Sequence, residues 1–239
     1  MAAVPEAVLP GAIDAGIAAA WLAMVEAHRA WQEPGAGSGA EFNPHSSSLR
    51  LRALPGLDAA AIAATLPRGP AGAFCRRRLG DALACNIDQC WVRRQYAPSR
   101  NPPGHAPHAW HQDDALGFDF LSTAIPPSGE GLLAMVTCWI ALTPCGADAP
   151  GLELLAGEIP KLLPPAALRE EAIRAAYRQA ELDRPVLAPG DCLAFGAGVL
   201  HHTHVSPAMR QNRTSLEIRL FDASRIAARL HGGRFVVVH

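Results

Sequence analysis

The first third of the chain carries a helical period. Ile13, Ile17, Trp21, Met24, Val25 and His28 recur near helical spacing across residues 12–31, and the stretch EPGAGSG ends that run. LDAAAIAATLP, residues 57–67, predicts a short helix with Asp58 as its cap and Pro67 as its stop. A further helix is predicted over about 71–83. From Ile87 the period shortens to two. IDQCWVRRQYA sets Ile87, Gln89, Trp91, Arg93 and Gln95 against Asp88, Cys90, Val92, Arg94 and Tyr96, the alternation of a strand. PSRNPPGHAPH then reads as a loop, by its prolines and glycine. Three more strands follow: MVTCWIAL over 135–142, the segment after the turn in LAPGDCLAF, and the alternating RTSLEIRLF over 213–221. One helix interrupts them, Pro164–Leu182, opened by prolines and charged on one side. There is no internal repeat.

The order of these elements predicts a mainly β domain with flanking helices, a β-sandwich or jelly roll. The expected organisation is one domain. A helical N-terminal layer covers 1–85, and a jelly-roll core covers 86–222 with a helical insertion around 143–185. A C-terminal tail covers 223–239.

Composition narrows the function. A chain of 239 residues is long enough for a sizeable core, and 49% hydrophobic with 18% charged residues excludes a disordered chain. The net charge of -1 and the lack of a basic run give no support for nucleic-acid binding. The apolar start lacks a positive segment and is broken by Pro5, Glu6, Pro10 and Asp14, which argues against a signal peptide or membrane span. Six cysteines are scattered without a C-x-x-C pair, as expected of reduced thiols. The expectation is a soluble cytoplasmic protein with a small-molecule partner and neither nucleic acid nor membrane.

Against that background WHQDD stands out. On a strand His111 and Asp113 share a face and would aim an imidazole and a carboxylate at one point. H-x-D alone recurs by chance, so a distant third ligand is required. HHTH, residues 201–204, supplies histidines after a turn-strand pattern, with His201 and Thr203 on one face and His202 and His204 on the other. The next strand puts Arg213 and Ser215 on one face. Two histidines and a carboxylate form the facial triad of non-haem iron(II). An inward arginine beside it suits a dicarboxylate, which guanidinium binds with two parallel hydrogen bonds.

Taken in order, HQD (111–113), TCWIAL (137–142), PGL (150–152), PGDCLAF (189–195), LHHT (200–203) and NRTSLEIRLF (212–221) resemble the phytanoyl-CoA dioxygenase family of iron(II)- and 2-oxoglutarate-dependent oxygenases. The resemblance runs from about Gln89 to Phe221 and implies a double-stranded β-helix, a cupin-like jelly roll with the metal at its mouth. It implies Fe(II) ligated by His111, Asp113 and His201, and 2-oxoglutarate clamped by Arg213. Thr203 would contact the co-substrate, Trp139 would wall its pocket and Ser215 would assist. With O₂, such an enzyme hydroxylates a substrate C–H bond and releases succinate and CO₂. Asp113 argues against halogenation, because halogenating relatives lack the carboxylate ligand. The chain departs from many relatives after PGL, where LELLAGEIP stands in place of a serine-histidine pair.

Other readings stay open. A one-residue change of strand register would make His202 the ligand instead of His201. His105 and His108 read by default as surface residues, Asp114 as a turn or cap residue, and Arg219 as facing the lumen in an ion pair with Glu217 or against substrate. A metal-dependent jelly roll that does not use 2-oxoglutarate would have no need of Arg213. A non-catalytic ligand-binding module would have no need of the triad. The expected substrate is a small organic acid, amino acid or specialised metabolite, met at a rim formed by 97–109 and 143–185.

Overall fold

The computed structural model describes residues 6–28, 42–43, 46–54, 56–102, 104–116, 131–178 and 181–238. Strand β1 (Glu6–Leu9) leads to α1 (Ala15–Glu26), which Asp14 caps by accepting from the backbone N–H of Gly16 and Ile17. Short strands β2 (Phe42–Asn43) and β3 (Ser48–Arg50) precede α2 (Ala59–Thr65), capped by Asp58, and α3 (Pro70–Leu79), with Pro70 in its first turn. Then follow β4 (Leu83–Asn86), β5 (Trp91–Gln95), β6 (Met135–Ala141), β7 (Gly151–Glu158), α4 (Glu170–Ala176) and β8 (Leu182–Asp183). Strands β9 (Cys192–Gly196), β10 (Val199–His204), β11 (Arg213–Asp222) and β12 (Phe235–Val238) complete the chain.

Two antiparallel sheets form a jelly roll. The larger runs β1-β9-β6-β11-β5-β3-β2, with β4 joining β11 to β12, and the smaller runs β10-β7-β8. Alternation decides what each face meets. On β6 and β11, Val136, Cys138, Ile140, Leu216, Ile218 and Leu220 point outward into a core shared with Phe74, Cys75, Ile62 and Ala63 of α2 and α3. On the opposite face Trp139, Leu193 and Phe195 pack between the sheets against Leu152, Leu154 and Val199. With helices over its outer face, the centre of the large sheet is buried on both sides, and every residue of β6, β9 and β11 is buried. The polar residues that alternate along β11, namely Arg213, Ser215, Glu217 and Arg219, therefore face the interior and not water.

Several elements differ from the sequence expectation. Helix α1 ends at Glu26, and residues 29–31 lie outside the described residues. Its buried positions are Ala18 and Val25, while Ile17 and Met24 are exposed, because the small Ala18 side chain lets the helix lie close to the core. The strand expected from Ile87 is interrupted by a one-turn 3₁₀ helix at Ile87–Gln89, with β4 and β5 on either side. The N-terminal region contributes β1 to β4 to the large sheet as well as helices. The segment 143–185 holds a short helix, α4, but also β7, the central strand of the small sheet. GLELLAGE does not alternate because Leu152 and Leu154 face the sandwich while Leu155 packs into a second cluster with Trp110, Ile173 and Leu200. The expected helix 164–182 is limited to Glu170–Ala176, after a 3₁₀ turn at Pro165–Leu168; residues 179–180 lie outside the described residues. The C-terminal segment contains β12, paired with β4. No helix among the described residues is long and apolar enough to cross a membrane.

Candidate active site

His111 and His201 meet as an isolated antiparallel pair. His111 N donates to His201 O at 2.9 Å and His201 N donates to His111 O at 3.0 Å. Their ring centroids are 4.2 Å apart. Asp113 does not continue a strand, contrary to the expectation for H-x-D. It opens a single 3₁₀ turn, Asp113–Ala115, which folds its carboxylate back toward the histidines. Between them Gln112 is fully buried and bonds the backbone of Lys161, Leu163 and Gly198, which fastens this turn to the barrel. One donor atom from each of His111, Asp113 and His201 lies within 4.8 Å of the others. No other such cluster of three ligand-type side chains occurs among the described residues.

The protonation pattern suits a metal. His111 Nδ1 lies 2.7 Å from Ala109 O, and His201 Nδ1 lies 3.0 Å from Val199 O. A carbonyl only accepts, so each Nδ1 carries the proton and each Nε2 keeps a free lone pair. Burial, with His201 beside it, pulls the His111 pKa down to about 3, which keeps the ring neutral. Burial alone would raise the Asp113 pKa. Arg219, then the two histidines and Thr137, outweigh it and hold the carboxyl well below the usual range. Arg219 Nη2 donates to Asp113 Oδ1 at 3.0 Å, and the Thr137 hydroxyl donates to Oδ2. Each oxygen retains a further lone pair. Arg219 also donates to Glu217 at 3.2 Å and to Gln89 O at 2.8 Å, and Glu217 pairs with Arg93. Arg219 is thus the lumen-facing ion-pair partner of Glu217 and of Asp113 as well.

The remaining expected residues lie in the same interior. The His201 ring packs on Phe195 at 4.7 Å, and Phe195 shares its cluster with Trp139. The Arg213 guanidinium lies 5.0 Å from the Trp139 ring centroid and donates to Ser215 Oγ at 2.7 Å. Thr203 is buried two residues from His201. Arg213 is 2% exposed, and among the described residues no carboxylate pairs with it; its Nε and the neighbouring Trp139 Nε1 are buried without a partner. Burial pulls its pKa down to about 10. A buried guanidinium without an anion is costly, so the chemistry of this pocket calls for a carboxylate.

His202 points to the other face. Its Nε2 lies 2.7 Å from Glu153 Oε2 and its ring stacks 4.0 Å from Trp110, so in this register His201 turns toward His111 and Asp113. Glu153 is fully buried and also pairs with Arg174 and Arg184, and Trp110 Nε1 donates to Glu170 at 2.6 Å. This cluster backs the His111–His201 pair from α4 and β7. Sequence reasoning missed it, although a glutamate amid the leucines of LELLAGE was a signal. His204 is half-buried. Two default surface readings are corrected. His105 is buried against Ser47 and Tyr96, and half-buried His108 bonds Arg93 at 2.6 Å, because the proline loop folds over the barrel mouth. Asp114 is buried and accepts from Leu133 N while pairing with Arg229, more than a turn residue requires. A cavity of about 390 Å³ opens onto His111 and Asp113, walled by Trp91, Arg93 and His108.

Comparison with known proteins gives a consistent family and fold. A family model described as phytanoyl-CoA dioxygenase (PhyH) matches residues 7–212. No curated protein matches the chain by sequence. Among solved structures, the epimerase SnoN in complex with Fe3+, alpha ketoglutarate and nogalamycin RO is similar at 22% identity and a TM-score of 0.62, over 92% of this chain and 80% of that one. EctD from S. alaskensis with 2-oxoglutarate and 5-hydroxyectoine is similar at 16% identity and a TM-score of 0.65, over 93% and 73%. The carbocyclase SnoK, from nogalamycin biosynthesis, is similar at 15% identity and a TM-score of 0.61, over 99% and 93%. At these identities the likeness shows the fold, and the site must be argued from its own residues.

Proposed function

The chain belongs to the phytanoyl-CoA dioxygenase family, and from that premise we propose that it is an iron(II)- and 2-oxoglutarate-dependent oxygenase acting on a C–H bond of a small organic molecule. His111, Asp113 and His201 would hold the iron. Arg213, with Ser215, Thr203 and Trp139, would hold the distal carboxylate of 2-oxoglutarate. Iron(II) with 2-oxoglutarate and O₂ supplies an oxidant for C–H bonds and releases succinate and CO₂. The protein's own part is orientation and charge. His111 and His201 present lone pairs fixed by Nδ1–H bonds to backbone carbonyls, Arg219 and Thr137 aim the Asp113 carboxylate, and the sandwich keeps water from Arg213.

One observation carries the choice of co-substrate. Arg213 is a buried cation with no carboxylate of the described residues paired to it, in the same interior as the triad. A jelly-roll metal enzyme that does not use 2-oxoglutarate has no use for such a group, and a binding module has no use for the triad. The test is succinate release from 2-oxoglutarate with Fe(II) and O₂. Release that depends on all three supports the reading, and its absence from folded, metal-loaded protein overturns it.

Hydroxylation is the default outcome. Epimerisation or ring closure can begin with the same removal of hydrogen, and two similar structures are described as an epimerase and a carbocyclase. Product mass separates these readings: hydroxylation adds one oxygen, ring closure removes two hydrogens, and epimerisation changes neither.

A further inference from the structure

We propose that the substrate of this site carries a carboxylate, and that Arg93 and His108 dock it at the wall of the cavity that opens onto His111 and Asp113. The proposal rests on the oxygenase reading above and names the substrate class of the same site.

The charges around the cavity are lopsided. Its described lining holds two guanidiniums, Arg93 and Arg219, and a single carboxylate, Asp113. Asp113 is already engaged by Arg219 and Thr137 and belongs to the metal cluster. Arg219 is spent on Asp113, Glu217 and the Gln89 carbonyl. Arg93 is different. Its Nε goes to Glu217, and its Nη1 to Ser48 Oγ at 3.0 Å and His108 Nε2 at 2.6 Å. Among the described residues nothing accepts from its Nη2. An arginine always donates, so His108 Nε2 must accept and the ring proton sits on Nδ1. That N–H likewise has no acceptor among the described residues. Arg93, a cation of the cavity lining with a donor to spare, suits a carboxylate, and His108 adds a second donor group to the same lining. An ammonium group would meet Arg93 with no uncommitted carboxylate in the described lining to receive it.

The rest of the cavity fits a small organic acid. Its volume of about 390 Å³ is near the lower end for ligand pockets. The half-buried indole of Trp91, with Arg50 stacked 4.4 Å over it, gives an apolar wall for a carbon skeleton. The His108 ring lies 5.6 Å from the His111 ring, so a carboxylate docked on Arg93 and His108 keeps the reacting C–H only a few bonds away.

The experiment uses Fe(II)-loaded protein with 2-oxoglutarate under nitrogen. The probes are small aliphatic and arylalkyl monocarboxylates, each paired with its own carboxamide and primary amine, with binding read by calorimetry. At least one acid should bind about tenfold or more tighter than its amide and its amine. Arg93→Gln should remove that preference while amide binding stays within about twofold. Arg93→Lys, which keeps the charge and loses the fork, should fall between. If Arg93→Gln does not fold, His108→Phe serves in its place and should weaken acid binding several-fold. Amides or amines that bind as well as the acids, no acid that binds, or an acid preference that survives Arg93→Gln overturns the proposal. Admitting air separates this from the function itself. Acid binding through Arg93 without succinate sinks the oxygenase reading, whereas succinate without acid preference sinks only the docking.

Discussion

Asp113 belongs both to the cluster with His111 and His201 and to the buried core. Its side chain and that of Arg219 are 4% and 5% exposed, and Arg219 relies on Asp113 and Glu217 for its charge. Breaking a buried pair by removing one partner costs about 3 kcal/mol or more. Asp113→Ala is therefore expected to lower the unfolding free energy of the metal-free protein, read from urea melts, by about 3 kcal/mol, and Asp113→Asn, which keeps the shape and an acceptor oxygen, by less. Equal stability of Asp113→Ala and wild type would show that the pair adds nothing to the fold. Arg213→Lys retains charge and loses the planar fork, so the KM for 2-oxoglutarate should rise about tenfold or more with a smaller change in kcat. An unchanged KM would remove Arg213 from the co-substrate pocket. The ligand candidates were readable because HQD, LHHT and NRTS keep their order and spacing. The Arg219–Asp113 bond was not readable, since no local pattern says which acid meets which base across more than a hundred residues.

At the scale of elements, alternation revealed β11, which sends one face to the helices and its polar face to the interior, while β6 was legible from its β-rich residues. Alternation failed for β7, whose Leu152, Glu153, Leu154 and Leu155 are all buried, so no polar phase marks the strand. It also failed for β12, where Phe235–Val238 is too short to alternate clearly, although three successive valines were a signal. The join between α1 and the large sheet depends on one glycine. Gly190 has φ +93° and its carbonyl accepts from Ile13 N at 2.9 Å; a Cβ there would lie 2.3 Å from Ile13 O. Gly11 also has positive φ, at +59°, but open space around it. Gly11→Ala should cost about 1 kcal/mol, and Gly190→Ala about 3 kcal/mol, because it adds backbone collision to strain. Thermal melts of the two variants decide it, and equal losses would mean the contact with Ile13 yields freely.

At the scale of the whole molecule, acid should loosen the back of the site. Burial opposes ionisation of Glu153, but Arg174, His202 and Arg184 outweigh it and lower its pKa to about 2. A depressed folded pKa gives stability that is complete above the ordinary value of 4.5 and is lost as pH falls from there toward about 2. Wild-type urea midpoints should therefore drop across that window, and Glu153→Gln should start lower at neutral pH and fall less steeply. Parallel curves would sink the assignment. The main-chain clasp between His111 and His201 bears on tolerance to substitution. It fixes the spacing of the two histidine backbones through one antiparallel pair, while the end of the loop before it, at His108 and Ala109, is tied in by Thr203 N and the His111 ring. A substitution ahead of His108 leaves both main-chain bonds of the clasp in place, whereas one that moves Ala109 takes the partner of the His111 ring with it.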